Sequence, residues 1–89
     1  MITATVRIIN KLGLHARPSA MLVTATSAWQ SEVFFTKENV RVNGKSIMGV
    51  MMLAAEKGSE IIVEVDGPDE EEALEAICKV IRSGFNETD

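Results

Sequence analysis

Residues 60–85 read EIIVEVDGPDEEEALEAICKVIRSGF and hold the two strongest structural patterns of the chain. Residues 60–65 alternate between acidic and apolar side chains except at Ile62, which predicts a strand with one buried face. Residues 69–85 carry apolar side chains at the spacing of one helical face, namely Leu74, Ile77, Cys78, Ile81 and Phe85. A strand followed by such a one-sided helix favours a sheet that is covered by helices on one face.

The two ends of this last helix are also marked in the sequence. Asp69 is a favourable N-cap residue, and Glu72, three residues later, predicts a reciprocal capping box. Gly84 is a typical helix-stopping residue. We therefore expect the helix to begin after Asp69 and to end near Gly84.

Five further elements can be read outward from this segment. The patterns predict strands over residues 3–9, 33–36 and 40–42 and a helix over residues 18–29. Residues 46–54 fit a buried strand or a short helix, and their methionines and Ser46 as an N-cap favour the helix. The resulting order, β-α-β-β-α-β-α, favours an α+β two-layer sandwich with an antiparallel sheet. The patterns alone leave the strand order open between 1-4-2-3 and a ferredoxin-like one. They contain no linker or repeat, so we expect residues 1–89 to form one domain.

Composition excludes several classes of function. Thirteen acidic and nine basic residues give the 89-residue chain a formal net charge of −4, which argues against nucleic acid as a partner. One Cys and one His cannot supply an internal disulfide or a zinc cluster, and we expect neither metal nor cofactor. The chain has no apolar run of roughly 18 residues and no signal-peptide pattern, so we expect a cytoplasmic protein without membrane insertion.

The run GLHARPSA, residues 13–20, places the one imidazole where a loop becomes a helix. A helix N-terminus attracts anions, and the guanidinium of Arg17 matches the geometry of phosphate oxygens. Neutral imidazole is a nucleophile near pH 7, so His15 could accept a phosphoryl group at this position. On residue type and position alone, however, a histidine at a helix start is far more often a capping or solvated residue than a nucleophile.

Two runs in register resemble one known family. GLHARPSA resembles the active-site signature of the histidine-containing phosphocarrier protein (HPr) family of the bacterial phosphoenolpyruvate-dependent phosphotransferase system. NGKSIMGVMML, residues 43–53, resembles the second signature of that family. The similarity extends over nearly the whole chain and implies a four-stranded antiparallel sheet of order 1-4-2-3 with three helices on one face.

The resemblance also implies a phosphoryl-transfer function without small-substrate catalysis. His15 would take a phosphoryl group on Nδ1 from phosphorylated enzyme I and pass it to enzyme II A-type domains in sugar uptake and its regulation. Arg17 corresponds to the phosphate-stabilising residue of the family. Leu14 and Ala16 correspond to its immediate setting, where we expect them to contact the partner proteins. We expect the carrier to work as a monomer.

The second signature contributes a regulatory site and a docking patch to this expectation. Ser46 is a helix N-cap by residue type, and in some bacteria the matching serine is phosphorylated by an HPr kinase/phosphorylase. Ile47, Met48 and Met51 fall at positions that line the docking surface for enzyme I. Two alternatives stay open: a carrier of the nitrogen-related branch of the system, and a regulatory interaction protein switched at Ser46.

Overall fold

The computed structural model describes residues 1–87, and its helices and strands follow the predicted order. The strands are β1 (Ile2–Arg7), β2 (Glu32–Lys37), β3 (Val40–Asn43) and β4 (Glu60–Asp66). The helices are α1 (Ala16–Ser27), α2 (Ile47–Met52) and α3 (Glu70–Arg82). None of the helices in this part of the chain is long and apolar enough to cross a membrane.

The four strands form one antiparallel sheet in the order β1-β4-β2-β3. β4 lies between β1 and β2, with Val6 opposite Ile61 on one side and Phe35 opposite Val63 on the other. This order confirms the one implied by the family resemblance and excludes the ferredoxin-like alternative. The three helices cover one face of the sheet, and the other face is open, as in the predicted open-faced sandwich.

The core lies between the sheet and the helices because both layers carry apolar residues at their own periodicity. On β4, Ile61, Val63 and Val65 are buried, whereas Ile62 between them is exposed. The matching face of α3 buries Ala73, Ile77, Cys78 and Ile81. The predicted core role of Cys78 is confirmed, and the thiol is free and buried.

The capping box predicted at the start of α3 is wrong. Asp69 occupies the N-cap position, but its side chain makes no capping bond to the helix. Its carboxylate instead accepts hydrogen bonds from the Ser31 hydroxyl and from the backbone amides of Gln30 and Ser31. These bonds, the one from the Ser31 hydroxyl above all, hold the pKa of Asp69 below its usual range. Asp69 therefore fixes the loop between α1 and β2 against the start of α3.

A short 3-10 turn, Gly84–Asn86, reverses the chain after α3. Gly84, Phe85 and Asn86 have positive φ values of 72°, 58° and 58°. Such angles strain a non-glycine backbone, but the Phe85 side chain is fully buried and anchors the turn in the core. Phe85 therefore belongs to the core, as predicted, although it lies beyond the helix. The reversal returns the chain toward the N-terminus of α1.

Candidate functional site

The loop before α1 is fixed against the segment that precedes β4. The amide of Leu14 donates to the carbonyl oxygen of Ala55 at 2.9 Å, and the Leu14 side chain is buried in the core. Gly13 has a φ of 67° and lies so close to the Ala55 carbonyl that a side chain does not fit. These contacts place the backbone of His15 at the N-terminus of α1, as the sequence predicts.

The N-terminus of α1 has no side-chain cap and no acidic residue in its first turn. His15 occupies the N-cap position with an extended backbone, and its carbonyl accepts the amide of Ser19 at 3.0 Å. No acidic residue lies in the first turn, and Ala16 and Arg17 are exposed. First-turn amides have no intrahelical acceptor, and the helix dipole favours negative charge there. This end of α1 can therefore receive an anion from solvent.

The His15 imidazole and the Arg17 guanidinium meet at one carboxylate, that of Glu87. Nε2 of His15 lies 2.9 Å from Oε2 of Glu87, and Nη1 of Arg17 donates to the same oxygen at 3.1 Å. The side chain of His15 is 36% exposed and that of Glu87 is 16% exposed. A nucleophilic ring, a guanidinium and a free helix N-terminus thus share one surface site.

Asn10 completes this arrangement from the loop side. Its amide nitrogen donates to Oε1 of Glu87 and to the carbonyl of Gly13, both at 2.8 Å. The bond from Asn10, followed by the contacts with His15 and Arg17, holds the pKa of Glu87 below its usual range. Glu87 therefore stays ionised at neutral pH.

Sequence reasoning missed Glu87. Glu87 lies 72 residues from His15 in the chain, beyond the last predicted helix. The one local signal is the helix-stopping Gly84, which indicates that the chain turns but not where it goes.

Ser46 and the residues after it form a second region on α2, which packs against α1. The amide of Gly49 donates to Oγ of Ser46 at 3.1 Å, so the predicted N-cap is confirmed. Val50 is buried, whereas Ile47, Met48 and Met51 are exposed, Met48 by 77%. Of the five residues predicted for partner binding, Ala16 and these three are exposed, whereas Leu14 is buried in the core and offers its side chain to no partner. No group of residues that could hold a metal ion is present within residues 1–87.

Replacing Ser46 by alanine is expected to lower the free energy of unfolding by about 1 kcal/mol, because the Gly49 amide loses its acceptor. Urea denaturation measures this loss. Ser46→Asn is the matched control, since asparagine is an equally good N-cap and should keep nearly all of the stability. An equal loss in both variants would show that the cap bond is not the cause.

An open-faced sheet with a partly exposed imidazole beside a guanidinium is compatible with the class of small phosphoryl carrier proteins. The phosphotransferase system (PTS) family described as "PTS HPr component phosphorylation site" matches residues 2–83. The chain belongs to this family and is a phosphocarrier of the phosphotransferase system, as the resemblance implies. Membership also implies PTS partner proteins such as enzyme I and enzyme II.

The chain is similar to individual relatives over almost its full length. The chain is 53% identical to the phosphocarrier protein HPr of Neisseria meningitidis serogroup A, with 98% of each chain covered. The crystal structure of HPr from Thermoanaerobacter tengcongensis has a TM-score of 0.95 at 43% identity, with 100% of each chain covered. A second structure from that organism, described as an HPr dimer, has a TM-score of 0.78 at 44% identity and covers 98% of this chain and 100% of its own.

Proposed function

We propose that His15 is the phosphoryl-accepting residue of this carrier. Its Nδ1 takes the phosphoryl group from phosphorylated enzyme I and passes it to an enzyme II A-type domain. The observation that carries the proposal is the position of the one imidazole of the chain. It stands partly exposed at the N-terminus of a helix whose first turn holds no acidic residue.

The charge of the bound phosphoryl group is stabilised by Arg17 and by the first-turn amides of α1. Nη1 of Arg17 donates a hydrogen bond to Glu87. The guanidinium has further N–H donors in the same plane, and this geometry suits phosphoryl oxygens. Ala16 has a small side chain that leaves its own amide accessible. These donors lie where the negatively charged phosphoryl group binds. The N-terminus of α1 and Arg17 therefore support both its transfer to His15 and its onward transfer to the next partner.

The docking surface for both partners consists of Ala16 together with Ile47, Met48 and Met51. All four residues are exposed, and α1 packs against α2, which supports one continuous patch beside His15. Methionine side chains are flexible and polarisable, so the same patch can fit more than one partner.

Incubation with phosphoenolpyruvate and enzyme I tests the proposal. We expect the protein to gain one phosphoryl group that is labile in acid and stable in alkali, and that maps to the peptide containing His15. Mass spectrometry of the intact protein and of an alkaline digest measures both. An acid-stable phosphoryl group, or one that maps outside this peptide, would contradict the assignment.

The same assay separates the carrier from a regulatory protein switched at Ser46. A phosphoserine formed by an HPr kinase/phosphorylase is stable in acid, and its charge suits the N-cap position that Ser46 occupies. The presence of His15 supports the carrier function, so regulation at Ser46 is the second candidate. We assign the carrier to the sugar-uptake branch because Ser46 within the second signature resembles that branch. Faster phosphorylation by an enzyme I homologue of the nitrogen-related branch would reverse that choice.

We further propose a cytoplasmic carrier that works as a monomer, with residues 1–89 as one domain. The free thiol of Cys78 is compatible with a reducing compartment. The apolar faces of the sheet and of the helices are buried against each other within one chain, which supports the monomer. Sedimentation at the concentration used for phosphorylation distinguishes it from a dimer.

A further inference from the structure

The Glu87 carboxylate is held at the ring of His15 by the turn that reverses the chain after α3. Three successive residues, Gly84–Asn86, adopt positive φ values, and the buried Phe85 side chain fixes the middle of the turn. Asn10, itself buried, donates from its amide nitrogen to Oε1 of Glu87 at 2.8 Å. The position of the carboxylate is therefore set by the core and by a buried amide, since neither support is a surface contact.

The hydrogen bonds of this carboxylate determine where the ring carries its proton. Oε2 of Glu87 is 2.9 Å from Nε2 of His15, and an ionised carboxylate can only accept. Nε2 must therefore carry the proton, and a neutral ring then has its lone pair on Nδ1. No side chain within residues 1–87 forms a hydrogen bond to Nδ1, which stays available for another atom.

We propose that Glu87 is a positioning residue for phosphoryl transfer: it holds the proton of His15 on Nε2 and balances the positive charge that the ring acquires when Nδ1 binds phosphorus. The inference rests on the proposed function of His15 as phosphoryl acceptor. It adds to that function the group that selects the reactive nitrogen and stabilises the phosphorylated ring.

The electrons and the proton balance without any further reactant. During acceptance, the lone pair of Nδ1 forms the new N–P bond while the bond between phosphorus and the donor breaks and leaves its electron pair on the donor. The proton stays on Nε2, so the imidazole part of the product is cationic beside the Glu87 carboxylate. During onward transfer, the electron pair of the N–P bond returns to Nδ1 and the ring is neutral again. Glu87 keeps the same contact through both steps.

A purely structural tether is the main alternative, since Glu87 also binds Arg17 and Asn10. The contact with the ring distinguishes the two roles. The carboxylate engages Nε2, the nitrogen that does not accept the phosphoryl group, and leaves Nδ1 open. A carboxylate that orients an imidazole through its distal N–H performs the same task in hydrolytic triads, where it also stabilises the imidazolium.

The variant Glu87→Gln tests the proposal, because glutamine keeps the shape of the side chain and removes its charge. The matched control is Glu75→Gln, the same change on the exposed side of α3. Long-range proton–nitrogen NMR spectra in alkaline buffer, where free imidazole is neutral, report the protonated ring nitrogen directly. Wild type and Glu75→Gln should show the Nε2–H form alone, and Glu87→Gln should show a mixture with the Nδ1–H form.

The rate of His15 phosphorylation by enzyme I and phosphoenolpyruvate is the second measurement. We expect about a tenfold decrease in Glu87→Gln and no change in Glu75→Gln; tenfold is the lower end of the effect of removing the outer partner of a metal-binding histidine. Backbone amide spectra of the same samples show that both variants are folded.

Three outcomes would decide against the proposal or against its premise. Identical ring spectra and rates in the two variants would overturn the role of Glu87 while the phosphorylated wild type still supports His15. A faster rate in Glu87→Gln would overturn it as well, and would show that the carboxylate competes with the phosphoryl group. Failure of wild type to accept any phosphoryl group would overturn the function of His15, and the ring spectra would still report the proton on Nε2.

Discussion

Replacing His15 by alanine is expected to abolish acid-labile phosphorylation by enzyme I and phosphoenolpyruvate. The chain contains one histidine, so no second imidazole can substitute for the lost nucleophile. The variant should still fold, because the His15 side chain makes no cap bond. The first turn of α1 is held by the backbone hydrogen bond from the Ser19 amide to the carbonyl of residue 15, which alanine keeps. Phosphoryl incorporation and a thermal melt, measured side by side, separate loss of chemistry from loss of structure.

A second variant, Arg17→Lys, tests whether the Arg17 guanidinium stabilises the phosphoryl group. Arg17→Lys keeps the positive charge but loses the planar set of donors, so we expect the rate to fall about tenfold while His15 is still labelled. Arg7→Lys makes the same change on the open face of the sheet, where Arg7 pairs with Glu60 at 3.0 Å, and should leave the rate unchanged. Persistent acid-labile label in His15→Ala, or equal rates in Arg17→Lys and Arg7→Lys, would contradict the proposed site.

Most elements of the fold could be predicted from the sequence because they follow from local periodicity, whereas α2 is favoured over a buried strand only by its methionines and the Ser46 cap. The alternation around Ile61 and Val63 and the helical spacing of Ile77 and Ile81 are properties of neighbouring residues. The order of the strands depends instead on which apolar faces meet across long stretches of chain, and β4 pairs with both β1 and β2. Periodicity does not encode that choice, so the strand order could be predicted only from the family resemblance.

In the candidate site, too, local features could be predicted from the sequence and long-range contacts could not. His15 and Arg17 are adjacent to the start of α1, and local signals predict their surroundings. The contacts that escape prediction join distant residues: Asp69 binds Ser31 across 38 positions, and Glu87 binds His15 across 72. Asp69 even has the sequence of a good capping box, but the loop amides offer its carboxylate better-placed donors. A local preference loses wherever tertiary structure brings a competing partner within reach.

Gly13→Ala is expected to lower the free energy of unfolding by about 3 kcal/mol, the largest stability effect we expect in the loop that carries the site. A Cβ at this position would lie 2.2 Å from the Ala55 carbonyl oxygen and 2.9 Å from Cα of Glu56. Both obstacles are backbone atoms, so the loop itself must move. The residue also has a φ of +67°, which strains any side chain. Denaturant unfolding measures the loss.

Gly58→Ala separates steric overlap from backbone strain. Gly58 also has a positive φ, +93°, but nothing lies within 4 Å of the Cβ that alanine would add. This variant should cost about 1–2 kcal/mol, the strain of the backbone alone. Gly13→Ala should also slow phosphorylation of His15, because movement of the loop disrupts the bond from Leu14 to Ala55 that sets the mouth of α1. Equal losses of stability in the two variants would show that the contact with Ala55 contributes nothing, and an unchanged rate in Gly13→Ala would show that His15 does not depend on the position of this loop.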